Sequence, residues 1–129
     1  MTRDEIDLPD VRAEVEAAFA RYEDALVNNR VDVLDELFFT AATTVRYGVF
    51  ENLYGIDMIR AYRTARSPAG LARTLTRTVI TTYGRDVATA MTEFTREGQR
   101  QIGRQSQTWV RFPEGWRVVA AHVSRMLDP

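Results

Sequence analysis

Cysteine is absent from the 129 residues, which excludes disulfides, thiol catalysis and cysteine-ligated metals. Histidine occurs once, as His122, so there is no histidine cluster to hold zinc and no metal site is expected. No apolar run approaches the roughly 18 residues of a membrane-spanning helix. The acidic, polar start from Met1 to Pro9 lacks the charged-then-apolar design of a secretory signal, so the expected compartment is the cytoplasm. Excess charge is lacking too. A net charge of −1 leaves no electrostatic footprint for nucleic acid or an anionic membrane. No glycine-rich strand-to-helix turn marks a phosphate loop. No serine elbow marks a hydrolase nucleophile. No cofactor is expected.

What is present suits a single globular domain, 45% hydrophobic and 27% charged. A chain of this length buries roughly two-thirds of its unfolded surface, so a true core is expected. Arginine carries the positive charge, much of it between Arg60 and Arg104.

Residues 1–9 read as a loose lead-in, and residues 10–129 as one domain. From Asp10, the residues Val11, Val15, Ala18, Phe19, Tyr22, Ala25 and Leu26 recur three and four apart, one face of a helix that Asn28 and Asn29 end. Val31, Val33, Leu34, Leu37 and Phe38 make a second, shorter helix. The period then changes. Thr43 to Tyr47 is β-branched and aromatic, hence a strand, and Phe50 to Leu53 is its short partner. Ile56 to Arg63 fits a third helix, stopped by Ser67-Pro68. Four long strands follow: Ala72 to Tyr83, Val87 to Arg96, Ile102 to Phe112 and Trp116 to Met126. The last two are joined by the hairpin signal Pro113-Glu114-Gly115. The expected fold class is α+β: three N-terminal helices packed on a curved antiparallel sheet, a cone with an open mouth. The outer face of such a sheet is a natural seat for a second copy, so a homodimer is expected.

Three runs carry a family resemblance: Arg46 to Gly55 (RYGVFENLYG), Gly103 to Arg111 (GRQSQTWVR) and Gly115 to Ser124 (GWRVVAAHVS). Together they resemble the AtzH-like family, and the likeness extends from about Asp10 to Met126. That family is placed in the NTF2-like superfamily of cystatin-like cones, beside ketosteroid isomerases and SnoaL-type cyclases. The resemblance implies the cone, a pocket and frequent dimers. It also implies a setting, because relatives accompany amidase-type hydrolases in cyanuric-acid and oxalurate breakdown. An amidase is therefore an expected partner.

The candidate catalytic residues are Tyr22, Tyr47, His122 and Glu93. By its distance from the second helix, Tyr22 resembles the tyrosine that ketosteroid isomerases use as an oxyanion donor. The alternative is a core tyrosine satisfied locally. Tyr47 falls where those isomerases have their general-base aspartate. Its reference pKa of about 10 makes it a poor base, so it reads better as pocket lining. His122 is an acid or base near neutral pH, or a hydrogen-bonded structural residue. Glu93 is a base or an arginine's partner.

The expected ligand contacts are Arg46, Tyr47, Arg104, Gln105, Gln107, Trp109 and His122. Gln105, Gln107, Trp109 and Arg111 share one strand face, taken to look inward. Trp116, Val118, Ala120, His122 and Ser124 share a face of the next strand. Arg46, Arg63, Arg73, Arg77 and Arg104 lie on or beside regular elements, where a bidentate fork suits a small carboxylate. Three functions remain open. One is a pocket for a small anionic amide of ureide or s-triazine catabolism. The second is an accessory protein docking on an amidase. The third is an NTF2-like isomerase, cyclase or dehydratase, which the absence of aspartate at position 47 disfavours.

Overall fold

The three-and-four spacing in the first half of the chain becomes three helices in the computed structural model, which describes residues 1–128. Helix α1 spans Pro9–Val27, with Pro9 in its first turn, where a missing N–H costs nothing. Its buried stripe is Val11, Val15, Phe19, Tyr22, Ala25 and Leu26. The helix ends where Asn29 enters left-handed backbone at φ 51°, which asparagine tolerates better than most residues. Helices α2 (Val31–Leu37) and α3 (Ile56–Ala65) follow.

The strands are β1 (Val45–Tyr47), β2 (Asn52–Tyr54), β3 (Thr74–Tyr83), β4 (Val87–Thr95), β5 (Gly103–Phe112) and β6 (Gly115–Arg125). They form one sheet in the order β2-β1-β6-β5-β4-β3. The four long strands make the expected antiparallel meander. The sheet is nevertheless mixed, because β1 pairs with β6 in parallel. A three-residue strand has no direction written in its sequence. Here the end of α2 sets it: the Phe39 N–H donates to the Val118 carbonyl at 2.9 Å, and the chain then runs alongside β6.

Two β-bulges curl the sheet, since an extra residue on one strand sharpens local twist. Thr76 is the extra residue on β3 and Val119 the extra residue on β6. The concave face supplies Ile80, Ala88, Ala90, Trp109, Trp116, Val118 and Ala121 to a core shared with all three helices. At its centre the Tyr22 ring meets Trp109 edge-on at 6.4 Å and Phe38 at 6.3 Å. Aromatic pairs of this kind contribute about 0.5–1.5 kcal/mol beyond their buried area.

The lead-in is not loose. Ile6 bridges to Tyr83, the Asp7 N–H donates to the Thr82 carbonyl at 2.9 Å, and the Thr82 N–H donates to Asp7 Oδ1 at 2.9 Å. Asp7 adopts φ 59° to do this. The segment thereby covers the C-terminal end of the free edge of β3, a contact a polar sequence does not advertise. Among the described residues no helix is long and apolar enough to cross a membrane.

Candidate functional site

Strand alternation puts the candidate residues on two opposite faces of the sheet. On β5, Gln105, Gln107 and Trp109 face the concave side and are 3%, 2% and 0% exposed, so the inward orientation holds. Arg104 alternates with them and is exposed on the convex side. Glu93 of β4 pairs in register with Arg104 and shares that side. On β6 the expected common face is broken by the bulge at Val119. Trp116 and Val118 stay buried, but beyond the bulge Ala121 is the buried residue and His122 is exposed on the convex side. Parallel pairing sets Arg46 beside Ala121 and Tyr47 beside His122. Arg46 is therefore concave and Tyr47 convex, its ring edge-on to His122 at 5.6 Å and its hydroxyl 3.1 Å from that of Tyr54. Four expected site residues thus lie outside the cone: Tyr47, Glu93, Arg104 and His122.

A cavity of about 260 Å³ opens at the wide end of the cone, walled by Tyr22, Arg46, Tyr62 and Gln105. Four further arginines reach its walls: Arg66 just beyond α3, Arg73 ahead of β3, Arg96 just past β4, and Arg125 closing β6. Two of the five are neutralised. Arg46 donates to Glu51 at 2.8 Å and lies over the Tyr62 ring, with its guanidinium carbon 5.5 Å from the centroid. Glu51 can fold back this way because residue 48 is glycine; a Cβ there would sit 1.7 Å from its Oε1. Arg73 is held by both oxygens of Glu23, each at 2.8 Å, with the Phe94 ring 4.4 Å beneath.

Arg66, Arg96 and Arg125 have no carboxylate partner among the described residues. Nε and Nη2 of Arg66 and Nε of Arg96 are buried with no hydrogen-bond acceptor. Burial holds both guanidiniums below their ordinary pKa, with Arg46 adding to the effect at Arg66 and with Arg73 and Arg125 adding to it at Arg96. Guanidiniums without a direct ion-pair partner at a half-dry wall are an electrostatic attraction for an anion.

The two glutamines add neutral donors. Gln105 accepts from Arg73 Nη1 through Oε1 at 3.1 Å, and its Nε2 is buried without a partner. Gln107 lies deeper, outside the cavity wall. Its Oε1 accepts from Trp109 Nε1 at 3.0 Å, and its Nε2 is also unpaired. Trp109 is core rather than pocket wall. Tyr22 is 4% exposed, borders the cavity, and its hydroxyl makes no hydrogen bond among the described residues.

The AtzH-like family profile matches residues 4–129. The chain belongs to the AtzH-like family. Solved structures agree. A protein of unknown function of the DUF3225 family from Pectobacterium atrosepticum is 63% identical, with 98% of this chain and 99% of that one covered at a TM-score of 0.97. A cystatin-like fold protein from Burkholderia xenovorans is 47% identical over 97% and 98% of the two chains, at a TM-score of 0.92. An NTF2-like protein of unknown function from Pseudomonas putida, 15% identical over 92% and 89% of the chains, shares the fold at a TM-score of 0.73. No curated protein matches at a significant level.

In this AtzH-like domain a second and larger hollow, about 550 Å³, lies over the convex sheet face between Arg77, Val79, Met91, Glu93, Arg104 and His122. It is a trough on a sheet, whereas the buried unpaired donors of Arg66 and Arg96 belong to residues that line the other cavity. The concave pocket is therefore the better candidate. Of the other expected arginines, Arg77 stands on the convex face. Arg63 is buried against the Phe38 ring at 4.0 Å with Asp35 at 3.2 Å, and burial pushes its guanidinium down to about 10. Sequence reasoning missed Arg66, Arg96 and Arg125 because each sits where an element ends. There it reads as a terminal surface charge until the curl of the sheet gathers the ends together.

Proposed function

We propose that this domain binds a small anionic amide in its concave pocket, a ureide such as oxalurate, allophanate or carboxybiuret. The observation that carries the reading is the convergence of Arg66, Arg96 and Arg125, none with a carboxylate, on a cavity that also holds an unpaired buried amide donor. A carboxylate satisfies the guanidiniums, and carbonyl oxygens satisfy the amide and the Tyr22 hydroxyl. A volume of about 260 Å³ suits a small metabolite. If the bound amide is transformed, the Tyr22 hydroxyl and Arg46 are the groups placed to steady negative charge on a carbonyl oxygen. The isomerase alternative is weakened further, since both carboxylates by the pocket, Glu23 and Glu51, are held by arginines rather than free to act as bases.

The test is a thermal-shift titration at low salt with the three ureides. A concentration-dependent rise in melting temperature is expected by mass action. Absence of any shift, together with co-elution with an amidase, favours the docking role and ends the pocket reading.

A separate observation supports a homodimer. On the convex face Val79 and Met91 are 44% and 52% exposed, and beside them Arg77, Glu93 and Arg104 stand in one row across three strands. A twofold axis offset by half a strand spacing would set the Glu93 carboxylate of one copy against an arginine of the row in the other.

A further inference from the structure

Resting on the pocket reading, we propose that Gln105 is the specificity-determining residue of the pocket and that Arg73 is the positioning residue that makes it a donor. A glutamine amide turns about its last torsion with little preference, so it can show either an oxygen or an NH₂ group to a ligand. Here the choice is made. Arg73 Nη1 reaches Gln105 Oε1 at 3.1 Å, and the flipped amide would set NH₂ against a guanidinium, donor to donor. Arg73 itself cannot turn away. Both Glu23 oxygens hold it at 2.8 Å, Phe94 stacks beneath it at 4.4 Å, and its side chain is 1% exposed. The chain Glu23–Arg73–Gln105 thus holds Oε1 against Arg73 and leaves Nε2, on a residue that lines the cavity, buried and unpaired.

A buried donor without an acceptor is a cost the fold carries until one arrives. The ligand must therefore present a carbonyl or carboxylate oxygen at this point. A ligand with N–H or CH₂ there leaves the amide unpaired, which is how polar sites reject isosteres strongly. For a ureide whose carboxylate sits at the cationic Arg66 and Arg96, this puts a carbonyl oxygen at Gln105.

The experiment is calorimetric titration of oxalurate into wild type, Gln105→Leu, the charge-conserving pair Glu23→Gln with Arg73→Met, and all three changes together. Gln105→Leu is expected to weaken binding at least tenfold, and the pair to weaken it comparably. The triple variant is expected to be no weaker than Gln105→Leu alone, because Arg73 acts only through the amide. Additive losses overturn the positioning role, and unchanged affinity in Gln105→Leu overturns the donor role. Gln105→Glu, which keeps an acceptor for Arg73 and supports folding, is a second variant and is expected to lose oxalurate. Retained affinity in it likewise overturns the donor role. Wild type with no affinity for oxalurate, allophanate or carboxybiuret removes the pocket reading and this inference together, whereas wild-type affinity that survives Gln105→Leu removes this inference alone.

Discussion

Replacing Arg66 with methionine is expected to move stability and binding in opposite directions. Arg66 lines the pocket with Nε and Nη2 buried and unpaired, and no carboxylate forms an ion pair with it among the described residues. A buried polar group left unsatisfied costs about 1–3 kcal/mol. Arg66 is only half-buried, so the low end applies. Methionine keeps much of the aliphatic stem's packing and removes the charge. The ligand-free variant should then gain about 1 kcal/mol, or about 3–5 °C in melting temperature for a domain of this size. The sign with pH follows from the downward shift of a base. The fold disfavours the protonated form at every pH below the folded pKa, and the cost is relieved only as pH rises past that value toward the unfolded one. The gain should therefore be steady through neutral pH and shrink only as alkaline pH reaches the lowered folded pKa. Binding should change the other way. A hydrogen bond to a charged group contributes about 1.5–3 kcal/mol, so the dissociation constant for oxalurate should rise roughly 10- to 150-fold. Thermal denaturation and calorimetry on the same preparation read both quantities. A variant that melts several degrees lower and binds as tightly as wild type would show that Arg66 is a packing residue, and the charge argument would fail.

Gly103→Ala should cost about 1–3 kcal/mol in chemical denaturation, the usual penalty of overpacking. Its Cβ would lie 2.2 Å from the Phe94 ring, and the displaced ring should unsettle Arg73 and Arg96, so ligand affinity should fall as well. His122→Ala should leave pocket affinity within twofold of wild type, since the imidazole lies on the opposite sheet face; a larger loss would contradict the register given by the β6 bulge. Arg63→Ala should lose about 3 kcal/mol, because it removes a buried stack on Phe38 and strands Asp35; equilibrium unfolding in urea measures it. Met91→Glu, which sets carboxylates against Glu93 and its symmetry mate, should convert the proposed dimer to monomer in sedimentation velocity, while an unaltered sedimentation coefficient would remove that interface.

The alternation of side chains by itself determined the helices, the four long strands and which β5 residues share a face, because period depends only on local geometry; that this face looks inward was decided by packing. It also determined that the positive charge would be guanidinium, since all 17 basic residues are arginine. The tertiary structure alone decided which charges meet. Val119 is an ordinary strand residue in sequence, yet its bulge turns His122 from the hollow to the outer face. Tyr47 left the pocket for a related reason. The parallel pairing of β1, fixed by the end of α2, sets it beside that histidine. Arg66, Arg96 and Arg125 lie far apart along the chain, at the ends of unrelated elements. They share a cavity only because the sheet curls around the helices and brings those ends to one rim.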